Sequence, residues 1–283
     1  MSLADSQKFC ADRVRRLDPD RYLSALFASD EYRPPLLALY AFNLEIATIG
    51  DNVSEMLIGR MRLQWWRDTL ARLQAGDDVG HGLCDSLAQV LKIDNFPVSL
   101  LHRMVDGREF DLADRPPVSM GEVETYLEST AVGLMAAACS VVGDPPDTAG
   151  PGNDVVRFAG LAMGLTGLIR MIPHNARRNR VFLPEDMMRR SGVTAEPVLA
   201  GRIEAGHGEI IREIAAQALD YLERVRAAGP KRPALVAVLP VALAGDYLAR
   251  LARANYDPFA PGLEPGRLSR QIRLTRAAWR GRV

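Results

Sequence analysis

The run Phe158-Ala159-Gly160-Leu161-Ala162-Met163-Gly164-Leu165-Thr166-Gly167-Leu168-Ile169 carries no charge and no proline. It lies in a segment that Asp154 opens and Pro173 closes, and over 159–172 that segment is apolar on all of its helical faces. A helix without a polar face has to be surrounded by other helices. The run therefore predicts an all-α bundle with this helix at its centre. It falls well short of the ~20 residues needed to cross a bilayer, as does 234–244, which Pro240 interrupts. Both are expected to be buried core helices.

Outward from that centre, nearly every long segment repeats at helical period and none alternates as a strand. Pro19 and Pro35 stand where first-turn prolines start helices, one running through Tyr22 to Phe27 and one over 36–49. Ser54 reads as the N-cap of a helix through Met56, Met61, Leu63, Trp66 and Leu70 that Gly76 stops. Pro97 opens a helix carrying Leu100, Leu101, Met104 and Val105. Ser119 and Glu122 form a capping box ahead of Val123, Leu127 and a long apolar run to Val142. Two further helices cover roughly 209–227 and 235–254. The connectors Gly76-Asp77-Asp78, Gly143-Asp144-Pro145-Pro146 and Gly229-Pro230 are too short for interdomain linkers, so one domain over 1–283 is expected.

Hydrophobic residues at 48% and charged residues at 25% describe a globular chain with a sizeable core. Basic and acidic residues balance at 35 each, which leaves no global field to draw in nucleic acid, and no nucleic-acid partner is expected. Cys10, Cys84 and Cys139 have neither metal nor redox spacing and are expected as reduced, buried thiols in a cytosol-like compartment. Met1-Ser2-Leu3-Ala4-Asp5-Ser6 has no basic start and no apolar run, so no secretory signal is expected.

From Gly266 onward there are six arginines and no acid. Arg267, Arg270, Arg273 and Arg276 recur every third residue and Arg280 follows four later, while Leu268, Ile272 and Trp279 occupy another face. Two arrangements fit: a helix docked by that apolar face with solvated arginines outside, or attachment to an anionic membrane surface, where each basic residue adds ~1 kcal/mol.

General catalytic signatures are absent: no G-x-S-x-G, no Walker loop, no H-E-x-x-H and no Cys/His metal spacing. His81, His102, His174 and His207 are isolated in sequence and read as surface or structural residues.

Two segments carry more specific information. One is Leu36-Leu37-Ala38-Leu39-Tyr40-Ala41-Phe42-Asn43-Leu44-Glu45, continuing to Asp51 and Glu55. The other is Gly164-Leu165-Thr166-Gly167-Leu168-Ile169-Arg170, then Ala176-Arg177-Arg178-Asn179-Arg180-Val181-Phe182-Leu183-Pro184. With Tyr22 before Leu26-Phe27, Gln64-Trp65-Trp66-Arg67, Gly107 with Asp111-Leu112, and Val132-Gly133-Leu134-Met135, they resemble the squalene/phytoene synthase family over most of the chain. The resemblance implies an all-α, isoprenoid-synthase-type bundle around a central cavity. Enzymes of that family join two prenyl diphosphates head to head, and aspartate clusters on two facing helices hold magnesium against the diphosphate. Magnesium favours octahedral oxygen ligands, and the metal cluster neutralises the departing diphosphate so that the allylic carbon can ionise in an apolar cavity.

The sequence departs from that pattern at the clusters. The first, D-D-x-x-D, falls on Ala47, Thr48 and Asp51, so only the last carboxylate remains, and Leu44 replaces the arginine before it. The second, D-x-x-x-D, falls on Met171 and Asn175 with Pro173 between them. No catalytic residue and no metal are expected on this reading. Asp51 and Glu55, four apart and able to share a helix face, are the residual metal candidates, with Glu45 nearby. Mg2+ is implied only under an enzymatic reading. Arg170, Arg177, Arg178 and Arg180 match family positions, and guanidinium suits phosphate. With Tyr40 and Glu45 they form the expected ligand-binding set for an isoprenoid or lipid with an anionic headgroup; structural pairing with neighbouring acids is the alternative.

The losses are concentrated. Phe42-Asn43-Leu44-Glu45-Ile46-Ala47, Asp51-Asn52-Val53-Ser54-Glu55, Ile58-Gly59 and Arg62-Leu63-Gln64-Trp65-Trp66 are similar to the family's branch of mitochondrial complex I assembly factors, and Pro173 and Trp279-Arg280 fit it too. That resemblance implies a non-catalytic assembly factor that binds a respiratory complex I subunit or assembly intermediate, cytoplasmic and peripheral to the inner face of a membrane. Two other readings stay open: a prenyltransferase acting on prenyl diphosphates with magnesium, and a lipid or quinone-like binder without turnover.

Overall fold

Helix α1 (Leu3–Leu17) opens on a capping box in which the Ser2 hydroxyl accepts the Asp5 N–H and the Asp5 carboxylate accepts the Ser2 N–H. Asp18 caps α2 (Pro19–Ala25), whose first residue is the expected proline. The first turn of α3 (Arg33–Ala47) holds Pro34 and Pro35. Gly76, left-handed at φ 87°, ends α4 (Met56–Ala75), as the sequence predicts. The chain continues through α5 (Cys84–Leu91), α6 (Ser99–Gly107), a 3-10 turn at Arg108–Leu112, α7 (Met120–Leu127), a π turn at Glu128–Val132, α8 (Gly133–Val141) and the long α9 (Gly152–Ala176). It closes with α10 (Glu185–Arg190), α11 (Glu196–Leu199), α12 (Ala205–Ala228), α13 (Leu235–Val238), α14 (Val241–Arg253) and α15 (Arg267–Arg280). This computed structural model describes residues 2–53, 55–113, 115–144, 152–230 and 234–283, and none of these residues is in a strand.

Several local expectations are corrected. Asp51 and Glu55 do not share a helix face, because α3 stops at Ala47 and 48–53 form a turn. The Thr48 hydroxyl bonds back to the Leu44 carbonyl at 2.9 Å. At Gly50 the turn passes so close to the Asp111 carbonyl oxygen that a Cβ would lie 2.8 Å from it. Pro173 does not end α9, which runs three residues further; proline's φ is helical, so it removes a single hydrogen bond, and Ile172 and Ala176 stay buried around it. Ser119 accepts the Glu122 N–H, but the Glu122 side chain goes to Arg115 and the Val118 N–H, so only half of the expected box forms. The expected cap at Ser54 and Pro145-Pro146 of one connector lie outside the described residues.

One apolar cluster extends from Cys10 to Leu263, with α9 inside it. Two faces of α9 are covered, one by α12 and one by the wall of α7, the π turn and α8. Against that wall the approach is so close that a Cβ on Gly160 would lie 2.5 Å from Val132 Cα, and one on Gly164 would lie 2.6 Å from Leu127 Cδ2. The remaining face, with Met163, Gly167, Leu168 and Met171, lines a cavity. The helix needs no polar face because that side borders an internal hollow.

The helical segments Asp154–Ala176 and Leu235–Arg253 are, at 23 and 19 residues, long and apolar enough by length and composition to cross a bilayer, although the uncharged runs within them are shorter. Their apolar windows are 56% and 67% buried inside the bundle, as befits core helices. All three cysteines are free and buried, and burial pushes their thiols up to about 11 for Cys10 and about 12 for Cys84 and Cys139.

The helix α15 reverses one expected arrangement. It docks on α13 and α14 through Leu274 and Ala277 and turns Arg270 and Arg273 inward, leaving Leu268, Ile272 and Trp279 exposed. A buried carboxylate sets this choice. Asp20, only 7% exposed, receives Arg270 at 2.9 Å and Arg170 at 3.3 Å, and a buried carboxylate without a cation would be costly.

The close approach of α9 yields a paired prediction. Gly160→Ala, which forces a methyl into the Val132 backbone, is expected to lower stability by about 1–3 kcal/mol in urea unfolding. Gly167→Ala, whose Cβ meets nothing within 4 Å, is expected to be neutral or to stabilise by up to about 1 kcal/mol through helix propensity.

Candidate functional site

The cavity beside α9 has a volume of about 300 Å³. Its apolar side comes from Leu127, Ala131 and Leu134 on the α7–α8 wall and from Met163 and Leu168 on α9. The wide π turn belongs to this wall, where it places Thr130 and Ala131 on the cavity. The opposite end is polar. Ala47 and Asp51 from the end of α3 face Met171 and Asn175 of α9 across it, with Arg108, Asp111, Arg180 and Asn43 around them. The positions matching the family's two clusters thus meet on one cavity, apart from Thr48, which lines a separate cleft with Arg13 and Glu45.

The surviving carboxylate is engaged by the protein itself. Asp51 Oδ2 lies 3.1 Å from His174 Nε2, and Asp51 Oδ1 lies 3.7 Å from Arg178 Nε. Arg178 also donates to the Asp51 carbonyl at 2.5 Å, and Arg180 donates to the Gly50 carbonyl at 3.2 Å. Together these bonds pin the 48–53 turn to the end of α9 and to the segment that follows it.

A second polar group lies deeper. Arg108 donates to Tyr126 Oη at 2.7 Å, to Asp111 Oδ2 at 3.1 Å and to Asn43 Oδ1 at 3.3 Å. Its Nε is buried with no acceptor among the described residues. Burial pushes the Asp111 carboxyl above its ordinary range, against the pull of Arg108, and burial raises the Tyr126 phenol as well. The Arg108 Nε–H is enclosed by protein, so the open guanidinium at the cavity is Arg180, which lines it and donates only to the Gly50 carbonyl among the described residues.

The residues expected from sequence to bind a ligand divide between this cavity and other places. Arg180 lines it, and Arg178 reaches its edge through Asp51. Tyr40 is 2% exposed and lies behind the cavity-lining Arg21, whose guanidinium is 5.8 Å from the ring centre. Glu45 turns to Arg13 at 2.9 Å. Arg170 turns to Asp20 and to Glu264, the latter at 2.7 Å. Arg177 is exposed, and Glu55, also exposed, stands at the start of α4. Sequence reasoning passed over His174, Arg108, Tyr126 and Asn43 as site residues. Neighbouring motif residues, Gly107 and Asp111 for Arg108 and the arginine-rich stretch for His174, were the available signals.

The donor set does not fit a multi-magnesium cluster. Such a cluster needs carboxylates on both facing helices, but Met171 and Asn175 stand on α9, Asp51 is taken by His174 and Arg178, and Asp111 is bound to Arg108. Among the described residues no group of three His, Cys, Asp or Glu side chains converges to hold an ion.

Comparison with known proteins places this geometry in context. Residues 14–279 match the family model described as squalene/phytoene synthase. A curated relative, the NADH dehydrogenase (ubiquinone) complex I assembly factor 6 of Rattus norvegicus, is 30% identical over 99% of this chain and 84% of its own length. Phytoene synthase 3, chloroplastic, of Zea mays is 28% identical over 69% of this chain and 46% of its own. A crystal structure of a dehydrosqualene synthase in complex with ligand superposes with a TM-score of 0.81 at 17% identity, covering 98% of this chain and 96% of that one. The fold is accordingly of the isoprenoid-synthase type.

The two carboxylates of the cavity are expected to differ in their structural weight. Asp111→Ala strands a buried guanidinium and should cost about 3–5 kcal/mol in urea unfolding. Asp51→Asn, in a half-exposed pair, should cost about 1 kcal/mol or less. Equal costs would mean that the deeper network is not the structural one.

Proposed function

The chain belongs to the squalene/phytoene synthase family, and we propose that within it the protein serves as a non-catalytic assembly factor for respiratory complex I. One observation carries this reading. Of the five family cluster positions compared, Ala47, Thr48, Asp51, Met171 and Asn175, a single one is a carboxylate, and its oxygens face His174 and Arg178. Head-to-head condensation needs metal on both sides of a diphosphate to neutralise the leaving group, and at these positions the cavity offers one engaged carboxylate on one side and none on the other. The near full-length similarity to the rat assembly factor supports the same reading, and the proposed partner is a complex I subunit or assembly intermediate at the inner face of a membrane.

The cavity keeps a use under this proposal. Its apolar walls and the Arg180 guanidinium, which lines it without an acid partner among the described residues, suit one isoprenoid or lipid chain with an anionic or carbonyl-bearing head, held without turnover. Around 300 Å³ is the low end of ordinary small-molecule sites, enough for one chain and too little for two prenyl groups side by side.

Purified protein given farnesyl or geranylgeranyl diphosphate is expected to release no diphosphate with or without magnesium, beside an active synthase control. A deletion strain is expected to lose complex I activity while squalene and carotenoid content stays normal. Metal-dependent release that disappears in Asp51→Asn would overturn the reading in favour of a prenyltransferase, and so would a deletion strain with normal complex I.

A further inference from the structure

An amphipathic helix docked on a protein ordinarily buries its apolar stripe. On α15 that stripe is outside: Leu268 is 69% exposed, Ile272 59% and Trp279 82%. At about 100° per residue the three fall within an arc of about 40° and extend about 16 Å along the helix. They form a ridge rather than a pocket.

A groove lined by Arg226, Arg273, Arg276, Arg280 and Arg282 runs beside the ridge, and no Asp or Glu side chain lines it. Two of these arginines are partly satisfied, Arg273 by Asp246 at 3.4 Å and Arg226 by the main-chain oxygen of Val283 at 3.2 Å. For Arg276, Arg280 and Arg282 no ion pair forms among the described residues. The surface thus offers exposed leucine, isoleucine and tryptophan next to uncompensated guanidinium groups, on a helix that the Asp20 pairing holds in this rotation.

We propose that α15 is the face by which the protein lies on an anionic phospholipid bilayer, with Leu268, Ile272 and Trp279 among the acyl chains and Arg276, Arg280 and Arg282 on the phosphates. Such a partner meets both features at once. Phosphate alone explains the arginines but not the ridge, and a folded apolar partner explains the ridge but not the arginines. A convex ridge ending in tryptophan suits a deformable interface in which the ring takes the headgroup level. Each arginine at that level adds attraction that salt weakens. The proposal goes beyond the assembly reading and stands whether or not the cavity is occupied.

The test is flotation of the full chain with vesicles of phosphatidylcholine alone and of phosphatidylcholine with phosphatidylglycerol, at low and high salt, read together with tryptophan emission. Expected is binding to the anionic vesicles at least about tenfold tighter than to the neutral ones, lost at high salt, with a blue shift that Trp279→Phe removes. Arg276→Glu combined with Arg280→Glu should lower anionic binding at least about tenfold, and Ile272→Ser combined with Trp279→Ser should lower it comparably. Both pairs are on exposed positions and should leave the thermal unfolding curve unchanged, which checks that they fold. Absence of flotation at low salt, equal binding to neutral vesicles, or undiminished binding by the charge-reversed variant would each overturn the proposal. Binding to an acidic polypeptide but not to vesicles would also overturn it and assign the groove to a protein partner.

Discussion

The structure depends on how closely α9 approaches the α7–α8 wall. At Gly160 and Gly164 there is no room for a side-chain carbon, so the helix axis is fixed at backbone contact on that side. Close packing transmits such a constraint without slack. Once α9 is held there and against α12, its third face cannot also be closed by α3. The hollow between them is the cavity, and its walls carry the residues that the family comparison makes informative.

What fills the polar end of that hollow is protein charge. In the family pattern, facing carboxylates would need an external cation; here arginine and histidine side chains occupy the same ground. The result is a site whose carboxylates are engaged before anything enters, with the Arg180 guanidinium left without an acid partner among the described residues. Asp51 meets His174 and Arg178, while Asp111 meets Arg108. With its carboxylates engaged by histidine and arginine, the cavity lacks the ligand set that would hold metal ions against a departing diphosphate. It does suit an apolar chain whose head needs one or two hydrogen bonds, and the cavity-lining Arg180 fits that use.

Much of the architecture was legible from local signals. The first-turn prolines, the glycine stop after α4 and the unpolarised centre of α9 are properties of short stretches, and the chain obeys them. The convergence of Ala47, Asp51, Met171 and Asn175 was legible only through the family pattern, since no periodicity links positions more than a hundred residues apart. Tertiary pairing decided the rest. Glu45 and Arg170 sit in motif segments but are drawn away by Arg13, Asp20 and Glu264. The polar network joins Asn43, Arg108 and Tyr126 from three elements, and no single stretch contains enough of it to be read. On α15 the hydrophobic pattern named the stripe but left two arrangements open, and the one that docks the stripe on the bundle fails because a carboxylate on α2 takes the arginine face.

That carboxylate also bears on the order in which the molecule can be completed. Asp20 emerges early in synthesis, while its partners Arg170 and Arg270 follow 150 and 250 residues later. Until then the N-terminal helices can gather their apolar faces, but burying Asp20 would be unfavourable. The full pairing of Asp20 is therefore completed only when α15 has been made. This makes α15 a clasp on the helices made before it, and it couples the integrity of α2 to the presence of α15.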